Sequence, residues 1–248
     1  GALMGDQVLD QAAVKQLGYV PSPMAQALKR GRSKLIGLVV ADITNPFSVA
    51  VLRGAEKACQ EAGYLVMLFN LGNDGGRERE AIEALASYQV EGFILNTQGG
   101  DPKAASEVAR HGKPAVLVDR KHADLKSDFV SLDNADAVQK AVAHLLDQGF
   151  QEFLYVTEPV AGVSTRLERA TCFKAQIAAQ DQGVGGGVFE AHDKQPAALA
   201  EALRELRHRA GARPAAVLCS NAVTTLRVAT AVAQLGWQLG LDLGLVGF

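Results

Sequence analysis

The chain has 248 residues, of which 48% are hydrophobic and 21% charged, and its formal net charge is −2. That balance is ordinary for a soluble globular protein and excludes a uniformly basic nucleic-acid binder, so any basic surface has to be local. The length suits one large α/β domain or two halves of roughly 100 to 150 residues each.

No apolar run reaches the roughly 18 residues of a membrane span and no signal peptide is recognisable, so the sequence predicts a cytoplasmic chain. Cys59, Cys172 and Cys219 are odd in number and widely spaced. This predicts reduced, mostly buried thiols rather than a disulfide framework.

Gln7 to Leu17 carries Val8, Leu9, Ala12, Ala13 and Leu17 at helical spacing and ends at Gly18, a cap residue. Ser22 can cap a second helix from Pro23 to Arg30 that is too short to be stable alone. Between Lys15 and Lys34 there are five basic residues, Lys15, Lys29, Arg30, Arg32 and Lys34, and no acidic one. The asymmetry fits either a solvated linker or a helix that folds on contact with DNA phosphates.

Leu35 to Val40 is an apolar, β-branched run and predicts a central strand covered on both faces. Asn45-Pro46 is turn chemistry before a helix from Phe47 to Ala62, with Val51, Ala55, Ala58, Cys59 and Ala62 facing inward and Gly63 as a left-handed cap. Tyr64 to Phe69 reads as a second buried strand, so the unit is β-α-β with a right-handed crossover and a parallel sheet. The alternation continues through a polar loop at 70–79, a helix at 80–88, a strand at 92–96, a helix near 102–111, and strands at 115–118 and 129–132. Asp133-Asn134 can cap a helix from Ala135 to Gln148, closed by Gly149. A second series follows, with strands at 153–157, 188–190, 215–219 and 243–247 and helices at 165–179, 195–210 and 223–235. Gly183 to Gly187 follows a helix and precedes a strand, the reverse of the dinucleotide-binding order, and reads as a loop.

Ligands of open parallel sheets sit beyond the carboxyl ends of strands. The polar candidates there are residues 42–48, 96–98, 119–120, 133–134, 157–169 and 220–221. No nucleophile–base set emerges from them, and none of the five histidines has a partner at metal-ligand spacing. No catalytic residue, metal or cofactor is therefore expected.

Several stretches in order resemble the lactose/galactose repressor (LacI/GalR) family of bacterial transcription regulators. They are Leu17-Gly18-Tyr19-Val20-Pro21 with Ala25, Leu28 and Ser33; Ile36-Gly37; Asn45-Pro46-Phe47; residues 90–95; Val118-Asp119-Arg120; Val130 with Asp133-Asn134; Arg169 before Phe173; Ser220-Asn221; and residues 245–248. Departures are Ser22 for a common asparagine, Cys172 for the usual glycine before Phe173, and Ala222 for a common aspartate.

The resemblance implies two similar Rossmann-like α/β subdomains with parallel sheets, as in a periplasmic sugar-binding protein, in a homodimeric repressor controlled by a small-molecule effector bound between them. Residues 1–33 would be the end of a DNA-binding headpiece and its hinge helix, 34–134 the first subdomain and 135–248 the second. The preceding helix-turn-helix segment and the returning C-terminal strands would lie outside the chain, which alone should bind operator DNA poorly. Phe47, Ser48, Asp119 and Arg120 would line the cleft from one side, with Arg166, Arg169 and Asn221 on the other. Leu28 would wedge into the minor groove, with Ser22, Ala25, Lys29 and Arg30 at the DNA. Arg166 and Arg169 suit a sugar acid, held by guanidinium forks, with a neutral sugar as the other option. The rival reading is a solute-binding protein serving a sugar transporter.

Overall fold

A computed structural model describes residues 32–98, 102–122, 125–180, 183–192 and 195–248. The expected helices at 7–17 and 23–30 lie outside them, as do Ser22, Ala25, Leu28, Lys29 and Arg30.

The first sheet contains β1 (Leu35–Val40), β2 (Leu65–Asn70), β3 (Gly92–Asn96), β4 (Ala115–Val118) and β5 (Asp128–Val130). Its spatial order is β2-β1-β3-β4-β5, and every pairing is parallel. Helices α1 (Pro46–Glu61), α2 (Glu78–Ser87) and α3 (Pro102–His111) make the crossovers. The second sheet contains β6 (Glu152–Thr157), β7 (Gly185–Glu190), β8 (Ala215–Cys219) and β9 (Gly244–Gly247) in the order β7-β6-β8-β9, again all parallel. Its helices are α4 (Asn134–Asp147), α5 (Ser164–Ala178), α6 (Pro196–Ala210) and α7 (Ala222–Gln234). The strand order reverses between β1 and β3 in one sheet and between β6 and β8 in the other, and such switch points open a crevice at the carboxyl ends.

The second sheet is covered on both faces. Val156, Val217, Leu203, Leu206 and Val228 join α6 and α7 to one face. Val138, Val142, Tyr155, Phe173 and Leu218 join α4 and α5 to the other, with the Tyr155 and Phe173 rings stacked at 5.2 Å. The first sheet packs Val39, Phe93, Leu95 and Leu117 against Ile82 and Leu85 of α2 and Val108 of α3. Each such side chain, fully buried, contributes about 1.5–3 kcal/mol before conformational entropy is counted.

Three local expectations differ from what is observed. β2 is an edge strand, not a buried one, and Leu65 at its start is 69% exposed. On α1, which lies beside that edge, only Ser48 is buried; Val51, Ala55 and Cys59 are half-buried, and Ala58 and Ala62 are exposed. Amphipathic spacing identifies a helix's apolar stripe, but the position of its sheet partner decides how far that stripe is covered. Finally, Gly185–Gly187 are strand, not loop. They pair with Glu152–Leu154, and a Cβ on Gly185 would stand 2.5 Å from Glu152 Oε2. Glu152 is itself held by Arg209 at 3.1 Å and Arg213 at 2.9 Å, so the glycine leaves room for a buried, paired carboxylate.

Candidate functional site

Residues at the carboxyl ends of both sheets line two adjoining cavities that share Asn73, Glu158 and Arg166. The inner one, of about 160 Å³, is the more enclosed. The outer one, of about 520 Å³, opens between Asn73 and Gln98 on one side and Pro159, His192 and Gln195 on the other.

The first sheet supplies the turn after β1. Asp42 Oδ1 accepts from Thr44 N at 2.9 Å, and its Oδ2 accepts from Asn73 Nδ2 at 2.8 Å. Asn45 caps α1 by accepting from Phe47 N at 3.0 Å, which aims the helix start, with Ser48, at the inner cavity. Gln98 joins the same knot through Nε2, which donates to Asn73 O at 3.0 Å.

Arg120 follows β4 and is 8% exposed. Its Nη1 donates to Thr97 O at 3.3 Å, its Nε lies 3.6 Å from Asp119 Oδ2, and Nε has no hydrogen-bond partner. Burial, and then the nearby Arg166, pull this guanidinium below its ordinary pKa. Burial pushes the Asp119 carboxyl up, against the opposing pull of Arg120, Arg169 and Arg166.

The second sheet supplies Glu158, at the end of β6. Its Oε2 accepts from Arg166 Nη2 and from Asn221 Nδ2, both at 2.7 Å. Arg166 also donates to Pro159 O at 3.1 Å, while its Nε is buried without a partner. Arg227, from the second turn of α7, completes the inner lining. Three guanidiniums against the carboxylates of Asp42 and Glu158 leave that lining with one net positive charge.

Of the residues expected in the cleft, Ser48, Arg120 and Arg166 line the inner cavity. Phe47, Asp119, Arg169 and Asn221 line neither cavity. Phe47 is 41% exposed at the start of α1. Asp119 sits behind Arg120. Arg169 is drawn away by its own partners: Nε donates to Asn134 Oδ1 at 2.7 Å, Nη1 donates to Ser220 O, and the guanidinium lies 4.6 Å from the centre of the Phe248 ring. Asn221 is taken up as the cap of α7 and as a donor to Glu158. Sequence reasoning missed Glu158, Asn73 and Arg227. Glu158 fell inside the strand-end window at 157–169 but carried no motif, Asn73 lay in a polar loop, and Arg227 lay inside the helix expected at 223–235 with no motif to single it out.

Among the described residues no group of histidine, cysteine or acidic side chains could hold a metal, and no helix is long and apolar enough to cross a membrane. Cys219 is buried, with burial raising its thiol to about 12, while Cys59 and Cys172 are half-buried, and all three are free.

Two parallel-sheet units with a charged cavity between their strand ends define a small-molecule-binding domain of the periplasmic-binding type. The family described as periplasmic binding proteins and sugar binding domain of the LacI family matches residues 33–245, and the chain belongs to it. The HTH-type transcriptional regulator PtxS of Pseudomonas plecoglossicida is 45% identical over 95% of this chain and 68% of its own length. The HTH-type transcriptional regulator KdgR of Bacillus subtilis is 36% identical over 95% of this chain and 70% of its own. A LacI transcriptional regulator from Lactobacillus brevis has the same fold, with a TM-score of 0.73 and 24% identity over 86% of this chain and 79% of that one.

Proposed function

We propose that the chain is the effector-binding part of a cytoplasmic, homodimeric transcription repressor, with residues 34–134 and 135–248 as its subdomains and operator DNA met through residues 1–33 and a preceding headpiece. The relatives that are regulators by name, at 45% and 36% identity, favour this over a transporter's solute-binding protein. The observation that carries the reading is the enclosed cavity lined by Ser48, Arg120, Glu158, Arg166 and Arg227 from both sheets. Its equipment suits binding rather than turnover. Guanidiniums and amides offer fixed donors to a sugar or sugar acid, whose preference for one subdomain orientation is coupled to DNA affinity by linkage, about 1–3 kcal/mol in typical cases.

Thermal unfolding of the full chain against neutral sugars and sugar acids tests it. At about 100 times its dissociation constant a true effector adds about 2.7 kcal/mol, which for a domain of this size raises the midpoint by about 5–11 °C. A panel in which neither class shifts the midpoint overturns the reading.

A further inference from the structure

We propose that Glu158 is a specificity-determining residue of this cavity, which makes it accept polyhydroxy monocarboxylates and turn away sugar diacids. The inference rests on the cleft being the effector site, and it adds which anion the cleft takes and what refuses the others.

The unmet hydrogen-bonding capacity of the site has a definite pattern. Arg120 and Arg166 line the inner cavity, and each has a buried Nε that makes no hydrogen bond, that of Arg120 lying 3.6 Å from Asp119 Oδ2. A carboxylate is the group whose geometry best answers the guanidinium donors that these side chains bring to the cavity wall. A single net positive charge in the lining is neutralised by one carboxylate and overshot by two.

Glu158 stands where the inner and outer cavities meet and is 9% exposed. Its Oε2 is filled by Arg166 and Asn221, while no described donor bonds its Oε1. An ionised carboxylate only accepts, so the free oxygen answers a hydroxyl group and has nothing to offer a second anion. A ligand whose carboxylate sits against the arginines and whose chain runs to the outer cavity passes this oxygen. There a hydroxyl donates to it. A second carboxylate would instead meet a buried like charge, and among the described residues the outer cavity adds only amides, His192 and small or apolar residues to Arg166 as compensation.

The test is titration calorimetry of the full chain at pH 7.5 with matched probes: D-gluconate and D-galactonate, their diacids D-glucarate and galactarate, and neutral glucose and galactose. The variants are Glu158→Gln, which keeps an oxygen for Arg166 and Asn221 but removes the charge, and Glu158→Asp, which keeps the charge. The expected result is that a monoacid binds the native chain at least about tenfold tighter than its diacid. Glu158→Gln should bring the two within about threefold, and Glu158→Asp should preserve the preference. Equal binding of monoacid and diacid by the native chain overturns the proposal without recourse to any variant. So does an unchanged ratio in a Glu158→Gln protein whose ligand-free melting shows it folded. Tight binding of the neutral sugars with no binding of acids overturns this proposal and leaves the cleft reading standing, whereas silence from all six probes removes both.

Discussion

Replacing Asn221 by alanine deletes two hydrogen bonds with different jobs. Oδ1 accepts from Thr224 N at 2.9 Å while Thr224 Oγ1 accepts from Asn221 N at 3.2 Å, a reciprocal box that satisfies two orphan donors at the start of α7. Losing such a cap costs about 1 kcal/mol. Nδ2 donates to Glu158 Oε2 at 2.7 Å, in a setting where Glu158 is 9% exposed. A hydrogen bond to a charged group contributes about 1.5–3 kcal/mol. The alanine variant should therefore lose about 2.5–4 kcal/mol. Serine retains a cap oxygen but has no amide to reach Glu158, so it should lose only the second part. In urea unfolding of the full chain the midpoints should rank alanine below serine below native, with an unchanged slope. In a Glu158→Gln background the alanine effect should shrink by about 0.5 kcal/mol or more, because contacting residues are not additive. A serine variant as stable as the native chain would show that the bond to Glu158 contributes nothing in solution and would remove the reason Asn221 is withheld from the cavity.

Two further outcomes follow from other parts of the fold. Gly244→Ala places a Cβ 2.5 Å from Phe150 Cζ and 3.1 Å from Ala216 Cβ at the first pair of a parallel ladder. Overpacking of this kind costs about 1–3 kcal/mol, so calorimetry should find the melting midpoint lower by about 2–12 °C, and an unchanged midpoint would contradict the packing at β9. Glu168 receives Lys121 Nζ at 3.0 Å and Asn134 Nδ2 at 2.9 Å. Burial raises its pKa, but those two hydrogen bonds together with the charges of Lys121 and Arg169 outweigh it and hold the carboxyl below its ordinary value. Its contribution is thus present above the unfolded pKa, about 4.3, and is lost as pH falls through the lower folded value. Glu168→Gln should be less stable than the native chain at pH 7, with the gap closing as pH falls below about 4. A gap of equal size at pH 3 would exclude the ion pair as its source.

Sequence pattern carried the architecture well because the β-α alternation depends on local chemistry. Asn45-Pro46 starts α1, Asp133 caps α4 by accepting from Asp136 N at 3.0 Å, and Gly63 and Gly149 end helices at φ +75° and +83°. What it could not carry was contact between segments far apart in the chain. Whether α1 is covered depends on β2 being an edge, and whether Gly185–Gly187 pair as strand depends on a carboxylate 33 positions before them in β6. The site divides in the same way. Arg120 and Arg166 follow strands and were visible as strand-end residues. Asn221 and Arg169 have the right chemistry at a strand end and on the following helix, but their polar groups are taken by Glu158, Asn134 and Ser220, which no local spacing announces.

The segment after β4 carries the mechanical argument. Asp119 sits in the left-handed region at φ +67°, a conformation aspartate tolerates better than most residues, and its backbone is fixed to β5 through Asp119 N to Val130 O at 2.8 Å and Ser131 Oγ to Asp119 O at 3.1 Å. The next residue, Arg120, faces the cavity. The one after it, Lys121, grips the second sheet's helix α5, with its backbone N donating to Ser164 Oγ at 3.0 Å and its Nζ reaching Glu168. Cavity lining and contact with the second sheet's helix α5 therefore occupy adjacent residues of one short, strongly anchored turn. A ligand that binds Arg120 better in one orientation of the two sheets must bias the Lys121 grip in the same direction, and by linkage whatever stabilises that grip must tighten the ligand by the same factor.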